Sequence, residues 1–154
     1  MTGRSVSHTS FVIERRLMPP PKVVFQAWSN PDAKRRWSAC HALADYSLDF
    51  RVGGGETSRV EMPDGTAYLV QAYFLDIVES ERILYAYNMQ LGETRLSASL
   101  VTVLFGPNGA GTRMLFTEQV AFLDSYQDRE ERLRGTESGL DRLEQELHGA
   151  FIPE

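Results

Sequence analysis

The feature that most constrains the fold is an alternation of apolar and polar residues that runs, with interruptions, from residue 46 to residue 122. A period of two is typical of strands with one buried face. The interruptions are short and rich in glycine, proline and aspartate, which are turn residues. The pattern predicts strands over 46–52, 56–62, 66–78, 83–90, 95–105 and 112–122, and a first strand over 10–17. Because most connections are of hairpin length, we expect one antiparallel sheet.

Two short helices are predicted between the first two strands. The prolines at 19–21 end the first strand and suit the opening turn of a helix that ends near Ser29. Asn30 is a good N-cap for a second helix, which runs from Pro31 to about Trp37.

A long helix is predicted near the C-terminus, where the period becomes helical. One apolar stripe is formed by Leu133, Leu140, Leu143, Leu147 and Phe151. Gly135 and Gly139 are unusual inside a helix, where each costs about 0.5–1 kcal/mol relative to alanine. We expect either close packing of these glycines against the sheet or a break near Gly135.

Length and charge limit the organisation and the partners of the chain. Its 154 residues fit one domain, which we expect over 8–152, with a flexible N-terminal segment over 1–7. The net charge of −5 disfavours binding to nucleic acid or to an anionic membrane surface. The short basic clusters at 15–16 and 34–36 are therefore interpreted as solvated faces.

Cysteine and histidine usage predicts neither a disulfide nor a metal site. Cys40 is the single cysteine, which favours a reducing, cytoplasmic location. His8, His41 and His148 are far apart, and adjacent residues such as Cys40 and His41 do not aim at one ion. No apolar run approaches the 18 residues of a membrane span, and the N-terminus lacks the apolar run of a signal peptide. We expect no metal, no cofactor and no membrane span.

Several short segments, taken in order, resemble a known family. They are the run Pro-Pro-Lys-Val-Val-Phe-Gln-Ala-Trp at 20–28, Pro31 with Trp37, Asp-Phe-Arg-Val-Gly-Gly at 49–54, Asp-Gly-Thr-Ala-Tyr at 64–68, the stretch 77–83 and Gly-Thr-Arg-Met at 111–114. Their order and spacing over about residues 10–148 resemble the START-like (SRPBCC) superfamily. Within it, the chain is similar to the family homologous to activators of the heat-shock-ninety ATPase, the AHSA-type family.

The resemblance implies an α+β helix-grip fold. Such a fold has a curved antiparallel sheet of about seven strands, two short helices after the first strand and a long C-terminal helix on the concave face. Many members of the superfamily bind small hydrophobic or aromatic molecules in a cavity between sheet and helix. The chain departs from the family pattern at Leu140, which follows Gly139 where an aromatic residue is usual. It departs again at Glu118, where a histidine is common.

Alternation places many aromatic and methionine side chains on the inner face of the sheet, which is the composition of a small-molecule pocket. The alternative is that these side chains are simply core. Trp28 is expected against the sheet edge, whereas Trp37 is expected near the cavity mouth. The candidate ligand contacts are Trp37, Tyr68, Phe74, Tyr85, Tyr87, Met89, Val103, Met114, Phe116 and Glu118.

Glu118 is the main candidate for catalysis, and it falls on the same face as Met114 and Phe116. A desolvated carboxylate there could act as a general base or anchor a ligand amine or hydroxyl. The alternatives are an edge position bent toward water or a salt bridge to an arginine. Glu56 and Glu61 lie on opposite faces of one strand, and each is expected to be solvated.

Three functions stay open from the sequence. The leading one is a binding protein that encloses a small hydrophobic or aromatic ligand. The second is a cyclase, dehydratase or hydrolase that acts on an aromatic or polyketide-like substrate, with Glu118 as base and Tyr68, Tyr85 or Tyr87 as partner. The third is a protein-interaction role, either as a homodimer or, least favoured, as a co-chaperone.

Overall fold

Seven strands and three helices make up the computed structural model, which describes residues 4–38 and 43–150. The strands are β1 (Val6–Leu17), β2 (Leu43–Leu48), β3 (Gly55–Glu61), β4 (Ala67–Val78), β5 (Arg82–Leu91), β6 (Thr94–Asn108) and β7 (Gly111–Leu123). The helices are α1 (Pro21–Ser29), α2 (Pro31–Ser38) and α3 (Arg129–Ala150). None of these three helices is long and apolar enough to cross a bilayer.

The strands form one curved antiparallel sheet in the order β1-β7-β6-β5-β4-β3-β2. Each strand from β3 to β7 pairs with the strand before it, as hairpin-length connections require, and β1 pairs with β7 at one edge. The α+β helix-grip architecture predicted from the sequence is confirmed.

The strand bounds differ from the prediction at a few ends. β1 begins at Val6, four residues before its predicted start at Ser10, and the Ser5 backbone N–H donates to Asp124 Oδ1 at 2.9 Å. β2 stops at Leu48 because the chain then turns through Gly53, whose φ of +85° suits glycine. β6 and β7 extend around their hairpin as far as Asn108 and Gly111.

The core lies where α1 and α3 cover the inner face of the sheet. Ile83, Val103 and Phe116 stand in register across β5, β6 and β7, and all three are buried. From the helices, the core receives buried apolar side chains at Val24, Phe25, Trp28, Leu140, Leu143 and Leu147.

Helix α3 runs unbroken through both internal glycines. Burying its three leucines contributes about 1.5–3 kcal/mol each, which exceeds the cost of two helical glycines. The expected break near Gly135 is therefore wrong. The other expectation, close packing of the two glycines against the sheet, is also wrong. A Cβ on Gly135 would meet nothing within 4 Å, and one on Gly139 would meet only the end of Arg142 at 3.6 Å. Both glycines face open space.

The attachment of α3 leaves part of the sheet uncovered. Arg15 on β1 donates to Asp141 at 2.7 Å and to Glu144 at 3.4 Å, so the helix is tied toward the β1 edge. One helix cannot cover a curved sheet of seven strands, and the uncovered region lies over β3, β4 and β5.

Candidate functional site

A cavity of about 350 Å³ lies between α3 and the inner faces of β3, β4 and β5, with α1 and α2 on one side. Five aromatic rings contribute to its wall: Trp28, Trp37, Tyr85, Tyr87 and Phe116. On the helical side the wall includes Gly135 and Gly139, which explains why these glycines meet no neighbour across the gap.

Six of the ten predicted ligand contacts lie at this wall: Trp37, Tyr85, Tyr87, Met89, Phe116 and Glu118. The other four lie elsewhere. Phe74, Val103 and Met114 are buried in the core, at the end of the sheet that α1 covers. Tyr68 is half-buried on β4, opposite Leu91 on β5.

The two tryptophans of the chain meet at the cavity. Their ring centroids lie 4.8 Å apart in an edge arrangement, and Trp37 Nε1 donates to the Ala27 carbonyl at 2.8 Å. Trp28 does not stay at the sheet edge as predicted; it is buried against Phe105 and Phe116 and also reaches the cavity wall. The reason is that α1 lies over the core rather than beside it.

Lys34 and Glu56 form an ion pair on the cavity wall, and the prediction that both are solvated is wrong. Lys34 Nζ donates to the two carboxylate oxygens of Glu56 at 2.9 and 2.8 Å, and the Tyr46 hydroxyl donates to Oε2. Only 10% and 14% of the two charged side chains is exposed. Burial, followed by the Glu56 charge, raises the pKa of Tyr46 well above its usual range. Each charge is tolerated here because the other neutralises it.

A second ion pair joins α3 to β7. Arg132 Nη1 donates to Glu118 Oε2 at 2.9 Å, and the two side chains are only 5% and 1% exposed. Tyr87 and Ser99 hydroxyls each donate to the same oxygen at 2.7 Å. The alternative of a salt bridge to an arginine, raised for Glu118 from the sequence, is the arrangement observed.

The other carboxylate oxygen of Glu118 is different. Oε1 is buried and has no hydrogen-bond partner among residues 4–38 and 43–150. In the sheet, Glu118 stands between Phe11 on β1 and Val101 on β6, which offer only apolar side chains. An unpaired buried acceptor costs the fold about 1–3 kcal/mol.

The remaining donors of Arg132 hold it rigidly. Nη2 donates to Ser97 Oγ at 2.6 Å and to Gln127 Oε1 at 2.7 Å. The guanidinium also lies 5.6 Å from the Tyr87 ring centroid and 5.4 Å from that of Phe122, within cation–π range. Arg132 is therefore fixed from several sides.

Tyr85 carries a phenol at the cavity wall between the two ion pairs. Burial, then the nearby Tyr87, Glu118 and Glu56, raise the pKa of Tyr85 well above its usual range. Burial and the Glu118 charge raise the pKa of Tyr87 in the same way. Tyr87 uses its hydroxyl proton on Glu118. Tyr85 is a neutral phenol at the cavity wall.

Sequence reasoning missed Lys34, Ser97, Ser99, Gln127 and Arg132. Two of them had a readable signal. Arg132 is eight and eleven residues before Leu140 and Leu143, which is helical spacing for one face. Ser99 alternates with Val101 and so shares its inward side.

No three histidine, cysteine, aspartate or glutamate side chains within residues 4–38 and 43–150 come together in a way that could hold a metal ion. Cys40 and His41 lie outside the described residues. Four of the six charged side chains at the cavity wall form the two ion pairs, and Glu131 and Arg142 are the other two.

The comparisons with known proteins give the family. The family model described as Activator of Hsp90 ATPase homolog 1-like protein matches residues 19–150. The chain belongs to this family. The prediction of an AHSA-type, START-like protein is thereby confirmed, and such membership is compatible with a ligand-binding or a co-chaperone-type function.

Solved structures of similar proteins agree with the AHSA-type assignment. An uncharacterised protein of Rhizobium leguminosarum is 54% identical, with a TM-score of 0.91 over 96% of this chain and 99% of the other. A protein of Rhizobium loti is 42% identical, with a TM-score of 0.88 over 92% and 99%. A protein of unknown function from Staphylococcus aureus, 19% identical, shares the fold with a TM-score of 0.75 over 94% and 96%. A search of curated proteins finds no match.

Proposed function

We propose that this AHSA-type protein binds one small, largely apolar aromatic molecule in the cavity beneath α3. The observation that carries the proposal is the cavity itself, a space of about 350 Å³ walled by five aromatic rings. Pockets for small molecules start at about 300 Å³ and are lined mostly by apolar and aromatic side chains with a few polar groups.

The volume limits the size of the ligand. An apolar cavity of about 150 Å³ is enough for benzene, so this one suits a molecule of about two rings. The two internal glycines of α3 fit the same proposal. Alanine would stabilise the helix at both positions, yet each side chain would take up space at the cavity wall.

The charges of the wall favour a neutral ligand. Lys34 with Glu56 and Arg132 with Glu118 are pairs of opposite charge, and each pair is already neutral. Two further charged side chains of opposite sign, Glu131 and Arg142, lie at the wall, so its charges balance overall. A charged ligand would have to give up its hydration to enter, which costs free energy. A neutral aromatic molecule does not meet that cost.

Naphthalene is a suitable first probe, because it has two rings and no charge. Both tryptophans of the chain lie at the cavity wall, so their two indole N–H signals in a nitrogen–proton NMR spectrum report on it directly. We expect both signals to shift and saturate with naphthalene. At ten times Kd, binding stabilises the fold by about 1.4 kcal/mol, which raises the melting temperature by about 3–6 °C.

The matched variants are Gly139→Leu and Gly149→Leu, which add the same side chain to the same helix. Gly139 lies at the cavity wall, whereas Gly149 is exposed outside it. Naphthalene binding is expected to be lost in the first and kept in the second. Equal binding by both variants, or no shift of the indole signals in the unmodified protein, contradicts the proposal. Recovery of a chemically altered aromatic probe would favour the enzyme alternative.

A further inference from the structure

The side-chain amide of Gln127 lies at the cavity wall beside Arg132, and Arg132 Nη2 donates to its Oε1 at 2.7 Å. A guanidinium group has only N–H donors, so the amide atom that faces it is the oxygen. This contact fixes the orientation of the amide. The nitrogen, Nε2, is therefore turned away from Arg132 and carries two N–H donors.

Gln127 Nε2 is a donor that a ligand can reach. It donates to no group within residues 4–38 and 43–150, and it is not one of the two polar side-chain atoms there that are both buried and unpartnered. Those two atoms, Trp28 Nε1 and Glu118 Oε1, have almost no accessible surface, so a ligand atom cannot contact them. Nε2 differs from both because it keeps accessible surface on a half-buried side chain.

The charges at this end of the cavity limit the kind of acceptor that Gln127 can take. Arg132 and Glu118 neutralise each other at 2.9 Å, and Glu131 follows Gln127 by four residues at the same wall. Arg142 is eleven residues beyond Glu131 on α3, which is about 17 Å along the helix. The wall near Gln127 is thus locally negative, and a carboxylate on the ligand would be repelled there.

We infer that the ligand is a neutral aromatic molecule with a carbonyl group, whose oxygen accepts a hydrogen bond from Gln127 Nε2. This inference rests on the function proposed above and names the ligand class for the same cavity. A carbonyl oxygen has two lone pairs and no proton, so it satisfies a donor without bringing a charge into the cavity.

Two other polar groups fit less well than a carbonyl. A protonated amine has only donors, so it leaves Gln127 Nε2 without a partner. Its ion pair with Glu131 would form at an exposed carboxylate, where such a pair strengthens binding by at most about fivefold. A hydroxyl group can accept from Nε2, but it also brings a proton that must leave water and find an acceptor of its own.

Five naphthalene derivatives separate these chemistries at pH 7. 2-Acetylnaphthalene carries the carbonyl, and 2-isopropenylnaphthalene has the same shape with a methylene group in place of the oxygen. 2-Naphthol, 2-naphthoate and 2-(aminomethyl)naphthalene supply the hydroxyl, the anion and the cation. Their Kd values are measured with the two indole N–H signals. We expect 2-acetylnaphthalene to bind about 3- to 10-fold more tightly than 2-isopropenylnaphthalene, as an uncharged hydrogen bond provides, and more tightly than the other three probes.

The variant test removes the donor and keeps the contact with Arg132. Gln127→Glu has the same shape, retains an oxygen for the guanidinium group and has no N–H. We expect the ketone to lose its advantage, with a Kd equal to or weaker than that of 2-isopropenylnaphthalene, which should still bind. Gln127→Met, which has neither group, should remove the advantage as well. The matched control is Gln145→Glu on α3, outside the cavity wall, which should keep the preference of the unmodified protein.

The outcomes distinguish this inference from the proposed function. Equal Kd values for 2-acetylnaphthalene and 2-isopropenylnaphthalene overturn the inference and leave the binding function standing. Tighter binding of the naphthol, the naphthoate or the amine overturns the carbonyl in favour of a hydroxyl, an anion or a cation. A ketone preference that persists in both Gln127 variants removes Gln127 as the donor. If no probe shifts the indole signals, the binding function fails and the inference fails with it.

Discussion

Replacing Arg132 by methionine tests whether the polar network is a buried, coupled unit. The guanidinium group donates to Glu118, Ser97 and Gln127, and only 5% of its side chain is exposed. Methionine has a similar length and keeps the apolar contacts of the stem, so the substitution removes the charge and its hydrogen bonds with little change in volume.

The structure gives the size of the effect. Breaking a buried ion pair by removing one partner costs about 3–5 kcal/mol, since the other charge stays buried without compensation. Glu118 keeps the hydroxyl donors of Tyr87 and Ser99 in this variant, so we expect a loss near the lower limit, about 3 kcal/mol. For a domain of this length, that loss lowers the melting temperature by about 6–12 °C.

Urea unfolding followed by circular dichroism measures the loss, and a double-mutant cycle with Glu118→Leu measures the coupling. The variant that carries both substitutions should be more stable than either single variant, because neither charge is then left alone. Arg36→Met is the control, since its ion pair with Glu146 is partly exposed and removal costs about 0.2–1 kcal/mol. If the two single losses simply add in the double variant, the reasoning is refuted.

Three further predictions concern the helix, the second ion pair and alkaline pH. Gly135→Ala should raise the free energy of unfolding, measured with urea, by about 0.5–1 kcal/mol, because the added Cβ meets no other atom. Gly53→Ala should lower the free energy of unfolding by about 1–2 kcal/mol, because Gly53 has a φ of +85°. Lys34→Met should cost about 3 kcal/mol in the same assay, the lower limit for breaking a buried ion pair, because Glu56 then keeps only the Tyr46 hydroxyl as a donor. A loss below about 0.5 kcal/mol argues against that pair. Burial raises the pKa of Tyr85 and Tyr87, so the stability they contribute is complete below pH ~10 and is lost as the pH rises toward their folded values. Absorbance at 295 nm should therefore show these phenols ionising only as the chain unfolds.

The order of elements was predictable because it depends on local signals. Alternation identifies a strand wherever one face is buried, and prolines, glycines and helix caps mark its ends. The predicted bounds are wrong where a tertiary contact determines the end of a strand. β1 begins at Val6 because its first residues pair with the end of β7, as far as Leu123, and the sequence of a strand does not report its partner.

The cavity was predictable only in part. Alternation finds the inward face of each strand, and five of the six expected contacts at the wall were found in that way; the sixth, Trp37, is on α2. Alternation does not show which part of that face a helix covers. The predicted ligand contacts therefore included core residues such as Val103 and Met114. Lys34 and Glu56 were misread because a charged residue is usually solvated, and only the fold brings opposite charges together.

The two ion pairs also suggest why the cavity stays open. Lys34 connects α2 to Glu56 on β3, and Arg132 connects α3 to Glu118 on β7, so each pair bridges from a helix to the sheet. Apolar side chains alone would gain free energy by closing the gap between the layers. A long charged side chain that must reach its partner holds the layers at a fixed separation, because collapse would force it out of its hydrogen bonds. The two ion pairs of the cavity wall therefore also help to keep the cavity open.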